Sequence, residues 1–134
     1  MITSLLELQF LSCESVGQVL VVKPAAEPRS FSDESKQHEY NFVMRMIGLN
    51  GGWGLLIDLS DCEMLDSVTV GILIQLSREV VRFGGRTVMC GASSAIRETL
   101  ARLMLLEPEH RVFAWRQFTT AVCAMAELQS SSAD

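Results

Sequence analysis

The sequence predicts an α/β domain: a small mixed, mostly parallel sheet with helices packed against it, in the order β-β-α-β-α-β-α-β-α. Short apolar runs typical of buried strands alternate with stretches whose apolar residues recur every three or four positions. The chain has 134 residues, which suits one domain, and 49% of them are hydrophobic, which is enough for a core. We place a single domain at 1–128 and expect 129–134 to be a flexible C-terminal tail.

The N-terminal part is predicted to form a hairpin. Residues 4–12 alternate apolar and polar side chains at a period of two, and residues 17–22 are rich in β-branched side chains, with a short polar turn between them. Pro24 and Pro28 exclude a helix or a central strand. We therefore predict that residues 23–29 are a connecting loop.

Four helices and three further strands are predicted after this loop. The first helix begins after the capping residue Ser32, and the glycines from Gly48 onward end it. The helices are predicted from apolar residues at helical spacing: Tyr40, Val43, Met44 and Ile47; Ile72, Leu76, Val80 and Phe83; Ile96, Leu100 and Leu103; and Phe118, Val122 and Met125. The strands are predicted at residues 55–59, 86–90 and 111–115. This alternation implies right-handed crossovers between parallel strands.

The charge balance and hydropathy exclude several classes of function. Eleven Lys and Arg residues against 16 Asp and Glu give a net charge of −5, so a basic surface for nucleic acid or anionic lipid is missing. No apolar run approaches the roughly 18 to 20 residues of a membrane span. The N-terminus has no basic region ahead of an apolar one, unlike a signal peptide. We expect a cytoplasmic protein that binds neither nucleic acid nor membrane.

The cysteines and histidines do not follow a metal-binding pattern. The two histidines are His38 and His110, and no two cysteines form a CxxC pair. We expect buried, reduced thiols and neither a metal nor a cofactor, with a disulfide or a redox role as the alternative. The four cysteines are Cys13, Cys62, Cys90 and Cys123.

The segment 58–67 is the richest candidate for a functional loop, because sites in such sheets gather after the carboxyl ends of strands. It holds four carboxylates and Ser67, and the pair Asp66 and Ser67 is typical of a helix N-cap. A nucleophilic Ser67 would need a base, and neither histidine is near in sequence, so we predict no catalytic residue. The acids could hold a divalent ion, but a solvated loop is the commoner result of this pattern.

Several segments, in this order and spacing, resemble the STAS domain, the family of anti-sigma factor antagonists and their relatives. The resemblance runs from about Trp53 to Met125. It is carried by Leu56-Ile57-Asp58-Leu59-Ser60, Met64-Leu65-Asp66-Ser67, Gly71-Ile72-Leu73, Phe83-Gly84-Gly85-Arg86-Thr87-Val88-Met89-Cys90-Gly91 and Ile96-Arg97-Glu98-Thr99-Leu100. The family fold implies a small sheet with helices on one side.

The resemblance implies a protein-binding switch rather than an enzyme. In the family, an anti-sigma factor that is itself a serine kinase phosphorylates the serine after the aspartate, and Ser67 and Asp66 match these positions. Val68 and Thr69 stand where typical antagonists carry a second Ser or Thr and then Gly. We expect Asp66, Ser67, Val68 and Thr69 to contact the partner, Ser67 or else Thr69 to be phosphorylated, and a PP2C-type phosphatase to reset the switch.

Other functions stay open at this point. The first is a STAS scaffold subunit of a signalling or lipid-transport complex. The second is a small nucleotide- or ligand-binding domain, or an enzyme that uses the acidic loop.

Overall fold

A computed structural model describes residues 2–4, 8–51, 53–103, 105 and 115–130. In these ranges six strands form one mixed sheet with four helices packed against it, which confirms the α/β class. The elements are β1 (Ile2–Ser4), β2 (Leu11–Val16), β3 (Val19–Pro24), a 3-10 turn (Pro28–Ser30), α1 (Asp33–Asn50), β4 (Gly54–Asp58), α2 (Ser67–Arg82), β5 (Arg86–Cys90), α3 (Ser94–Arg102), β6 (Arg116–Phe118) and α4 (Ala121–Ser130).

The strands lie side by side in the order in which they occur along the chain, β1-β2-β3-β4-β5-β6. The first two pairings are antiparallel and the next three are parallel, as the prediction of a mixed, mostly parallel sheet requires. The ends of β4, β5 and β6 therefore meet at one edge of the sheet, and the loops that follow them are neighbours.

The N-terminal hairpin differs from its prediction. The sequence places the first strand over 4–12, whereas β2 begins at Leu11 and includes residues 13–16, which the prediction treats as a turn. Leu11 and Cys13 are buried and the residues between and after them are more exposed, so the alternation is real but starts later. The turn lies at Gly17, whose φ of +60° suits glycine. β1 is an additional strand.

The first proline does not end the strand before it. Lys23 and Pro24 belong to β3, so the predicted loop over 23–29 begins too early. Pro24 lies beyond the last pairing of β3 with β4, Val22 with Ile57, and its missing N–H removes no bond from that parallel ladder.

Helices cover both faces of the sheet, which corrects the expectation that all of them lie on one side. The main core cluster packs α1, α2 and α3 against one face. On the other face a smaller cluster joins Leu56 and Val88 to Ala124 and Leu128 of α4. The central strands are apolar on both faces, so a second layer is needed to remove the second face from water.

The predicted apolar face of the last helix was wrong. Phe118 lies in β6, and the Val122 side chain is 79% exposed, while Ala124 and Leu128 are buried. The helix ends at Ser130, two residues into the range predicted as the tail. The predicted residues 5–7, 111–114 and 131–134 lie outside the described ranges.

Local signals were more reliable elsewhere. β5 has the predicted bounds, and α1 begins after Ser32, whose Oγ accepts a hydrogen bond from the Ser35 N–H. Phe83 and Leu103 each follow the last residue of a helix and are exposed, rather than completing a buried stripe. None of the helices in the described ranges combines the length and apolar character that crossing a membrane requires.

Candidate functional site

Ser67 is the first residue of α2. It follows the loop after β4, on the side of the sheet where the carboxyl ends of the parallel strands lie. Asp66 before it has extended backbone angles, and its Oδ1 accepts a hydrogen bond of 2.8 Å from the Thr69 N–H. This is the predicted N-cap, which satisfies a backbone donor that the helix itself leaves free. The Ser67 side chain is exposed to solvent.

Two hydroxyls lie close together at this helix start, but they have different surroundings. Ser67 is exposed, and Val68 beside it is 44% exposed. Thr69 has no exposed surface. In this conformation Thr69 donates its backbone N–H to the cap, and its predicted contact with a partner stays a prediction. Of these two residues, Ser67 is the exposed one.

A buried lysine reaches the cap from α1. Lys36 is only 4% exposed, and its Nζ lies 3.0 Å from Asp66 Oδ2 and 5.7 Å from the centre of the Phe10 ring. Lysine is almost never this buried unless it is paired. Lys36 was not among the predicted site residues, although it lies seven residues before Val43 on the apolar face of α1, where a charged residue signals a partner.

A second buried charge on α1 holds the start of β2. Glu39 is buried, and its Oε1 accepts hydrogen bonds from the N–H groups of Phe10 (2.9 Å) and Leu11 (3.0 Å). Glu39 lies three residues after Lys36, so the first turns of α1 connect the segment before β2 with the N-terminus of α2.

The surroundings of Asp66 favour its ionised form. Burial raises the pKa of Asp66, but hydrogen bonding from Thr69 and the hydrogen bond and charge of Lys36 outweigh it, and the pKa is lowered overall. Asp66 is therefore a carboxylate at neutral pH, with both oxygens already engaged.

We expect Asp66→Asn to remove a stability term that depends on pH. A lowered pKa in the folded state stabilises the fold above the unfolded pKa of about 3.8, and this stabilisation disappears as pH falls through the folded value. At pH 7 the variant should lose about 1–3 kcal/mol, because Asn still caps the helix but leaves Lys36 without its carboxylate. Urea denaturation of both proteins from pH 7 to pH 3 should show this difference shrinking below pH 4. A constant difference would contradict the assignment.

The first carboxylate of the predicted loop points inward. Asp58 is buried, and its Oδ1 accepts hydrogen bonds from the N–H and the hydroxyl of Ser60, with Lys23 Nζ 3.9 Å from Oδ2. Asp61 and Glu63 are exposed. Across the described ranges, His, Cys, Asp and Glu side chains do not gather in groups of three or more that could hold a metal ion.

The turn after β5 supports this loop. Gly91 has a φ of +73°, and a Cβ there would lie 2.8 Å from Ser60 Oγ and 2.9 Å from Ser60 N. The backbone can approach this closely only with glycine. The loop before Ser67 is therefore fixed at one end by Asp58 and at the side by Gly91.

The four cysteines are free thiols, and three of them are buried. Burial, helped by Glu14, raises the pKa of Cys13 to about 12, and burial, helped by Asp58, raises that of Cys90 to about 12. Burial also raises the pKa of Cys62. Cys123 is exposed on α4, which corrects its predicted burial. Of the histidines, His38 is exposed on α1, and His110 lies outside the described ranges.

Thiol alkylation should distinguish these cysteines. In the native protein at pH 8 we expect iodoacetamide to modify Cys123 quickly and the other three slowly, because the thiolate is the nucleophile and burial disfavours it. After unfolding in guanidinium without reductant, all four should react, as measured by mass spectrometry. Fewer than four modified sites would reveal a disulfide.

Known proteins share the fold described above. The family model described as the STAS domain matches residues 42–115. No curated protein sequence is similar enough to count as a match. Among solved structures, a variant of RsbS from Moorella thermoacetica superposes with a TM-score of 0.73 at 22% identity, covering 92% of this chain and 98% of its own.

Two further structures show the same fold. The anti-sigma factor antagonist SpoIIAA in its unphosphorylated form has a TM-score of 0.71 at 16% identity, and the match covers 90% of this chain and 96% of that one. An anti-sigma-factor antagonist (STAS) domain protein from Planctomyces limnophilus has a TM-score of 0.69 at 17% identity, covering 89% and 97%. Since the family model matches more than half of the residues, this chain belongs to the STAS domain family.

Proposed function

We propose that this protein is an anti-sigma factor antagonist that works as a phosphoswitch on Ser67. Unmodified, it binds an anti-sigma factor and frees the sigma factor. The anti-sigma factor, acting as a serine kinase, phosphorylates Ser67 and is released, and a PP2C-type phosphatase restores the hydroxyl. The protein itself is a cytoplasmic binding module without catalysis, cofactor, nucleic acid or membrane contact.

The observation that carries this proposal is the exposed Ser67 hydroxyl at the start of α2, close to a buried Thr69. A kinase needs an accessible hydroxyl, and this helix start offers one. The exposed side chain of Val68 beside it supplies apolar area for a partner, and apolar groups dominate the centre of protein interfaces.

The same location explains how modification can change binding without unfolding the protein. A phosphate on Ser67 would lie at a helix N-terminus, where the dipole and free N–H groups favour an anion. The partner surface would gain a charge of about −1.5 to −2 beside Asp66, at a contact that accommodates a neutral hydroxyl. Repulsion and desolvation then oppose binding while the fold is retained.

Capture of the partner tests the proposal directly. Tagged protein expressed in its native host is isolated with its partners, and mass spectrometry identifies both the partner and the phosphopeptide. We expect an anti-sigma factor of the serine-kinase type and phosphate on Ser67, and no phosphate on the Ser67→Ala control. A transporter or a large scaffold as the main partner, or phosphate confined to another residue, would overturn the proposal and favour the scaffold alternative.

A further inference from the structure

We propose that Lys36 is the built-in counter-ion for a phosphate on Ser67, bridging that phosphate and Asp66 across the interface between α1 and α2. The biological use of this site rests on the proposed phosphorylation of Ser67, but the site itself can be tested without any kinase.

The burial of Lys36 is costly for the fold. A buried ammonium is expensive unless it is paired, and removing its partner is more costly still. Lys36 is 4% exposed and pairs with Asp66 at 3.0 Å. Yet the cap does not need this cation, because Asp66 Oδ1 already accepts the Thr69 N–H at 2.8 Å. The lysine therefore supplies something beyond the closing of the helix end.

The Lys36 ammonium has more donors than its contact with Asp66 uses. An ammonium carries three N–H donors, and the contact with Asp66 Oδ2 takes one of them. Three acidic residues of α1 lie within three positions of Lys36. Asp33 and Glu34 are exposed, and Glu39 Oε1 accepts from two backbone N–H groups. From the loop before α2, Glu63 is exposed and Asp66 is the paired carboxylate. Lys36 thus has donors left for a second anion.

The position of Ser67 places that second anion beside the first. Ser67 follows Asp66 directly, so a phosphate on its side chain brings a second anion within one residue of the carboxylate that Lys36 binds. Two neighbouring anions repel each other unless a cation lies between them. The same Lys36 ammonium lies 5.7 Å from the centre of the Phe10 ring. If Lys36 contacts both Asp66 and the phosphate, it would keep the phosphate dianionic at neutral pH. Phosphorylation would then add the larger negative charge to this surface.

The experiment measures the second pKa of the phosphate. Phosphoserine is incorporated at position 67 by genetic code expansion, and its phosphorus resonance is followed by NMR from pH 4 to pH 8. We compare the phosphoprotein with its Lys36→Gln and Lys23→Gln variants. Lys23 is a matched control, since it is also a lysine near a carboxylate of this sheet edge, Asp58, at 3.9 Å.

We expect Lys36→Gln to raise the phosphate pKa by at least about 0.5 unit, towards the ordinary value of about 6, and Lys23→Gln to leave it unchanged. Lys36→Arg, which keeps the charge, should restore most of the shift. Equal phosphate pKa values in the starting protein and in Lys36→Gln would overturn the proposal.

A second measurement tests the proposal even if the Lys36→Gln variant does not fold. In the unmutated protein, the nitrogen resonance of the Lys36 ammonium should move when phosphoserine replaces Ser67, and that of Lys23 should not. An unmoved Lys36 resonance would contradict the proposal. Because the phosphate is installed without a kinase, either result is independent of whether Ser67 is phosphorylated in cells.

Discussion

Ser67→Asp should weaken binding to the anti-sigma factor by on the order of 100-fold, whereas Ser67→Ala should bind constitutively. The carboxylate would be buried beside Asp66 in the complex, at a contact that accommodates a neutral hydroxyl. Burying a charge there costs several kcal/mol, and each step of about 1.4 kcal/mol is a factor of ten in affinity. Both variants should fold, because Asp66 still caps α2 and a negative charge in the first helical turn is favourable.

Titration calorimetry against the captured partner, with thermal melts of each variant, measures binding and stability separately. Ser94→Asp is a matched control: Ser94 is exposed and is the first residue of α3, after the cap Ser93, just as Ser67 follows Asp66. It should leave the affinity unchanged. If Ser67→Asp binds as tightly as the unmodified protein, the phosphoswitch is rejected. If the affinities of the variants change only in proportion to their stabilities, Ser67 has a structural role at the start of α2 and no role in partner recognition.

Gly85→Ala should destabilise the protein strongly although it adds only one methyl group, with a loss on the order of 3 kcal/mol or more. A Cβ at Gly85 would lie 1.8 Å from the Trp53 carbonyl oxygen and 2.7 Å from Val80 Cγ1. The first contact is with backbone immediately before β4, so no side-chain rotation relieves it. The chain must shift β4 relative to β5 to accept the methyl group.

Gly48→Ala provides the control for this substitution. Gly48 lies inside α1, and a Cβ there meets nothing within 4 Å. Alanine should stabilise the protein by about 0.5–1 kcal/mol, since glycine loses more backbone freedom in a helix. Urea denaturation of both variants gives the two changes in the free energy of unfolding. A Gly85→Ala protein as stable as the parent would mean that the contact with Trp53 is not rigid.

Features governed by neighbours in sequence could be predicted. The cap at Ser32 depends on the Ser35 N–H three residues away, and Asp66 depends in the same way on Thr69. β5 was predicted because its apolar run is closed by glycines on both sides. The location of Ser67 at the start of a helix could also be predicted, because the capping residue Asp66 directly precedes it.

Features governed by distant residues could not be predicted in this way. Lys36 is buried because Asp66, 30 residues later, meets it, and Glu39 is buried because the backbone of Phe10 and Leu11 donates to it. The buried face of α4 was predicted wrongly because the second face of the sheet, which is distant in sequence, determines which residues of α4 are buried. There Ala124 fits closely against the strands, and the larger Val122 remains in water.

The order of strands in the sheet has a consequence for how the chain assembles. Each strand pairs with the one before it in sequence, so the β2–β3 hairpin can form first and β4, β5 and β6 can be added in turn to one growing edge. Among the six described strands, none has to be inserted between two that have already paired. Such nearest-neighbour addition keeps loop closures short and favours rapid folding for a parallel sheet. α4 is the exception, because it returns across β4 and β5 and packs on the second face of the sheet.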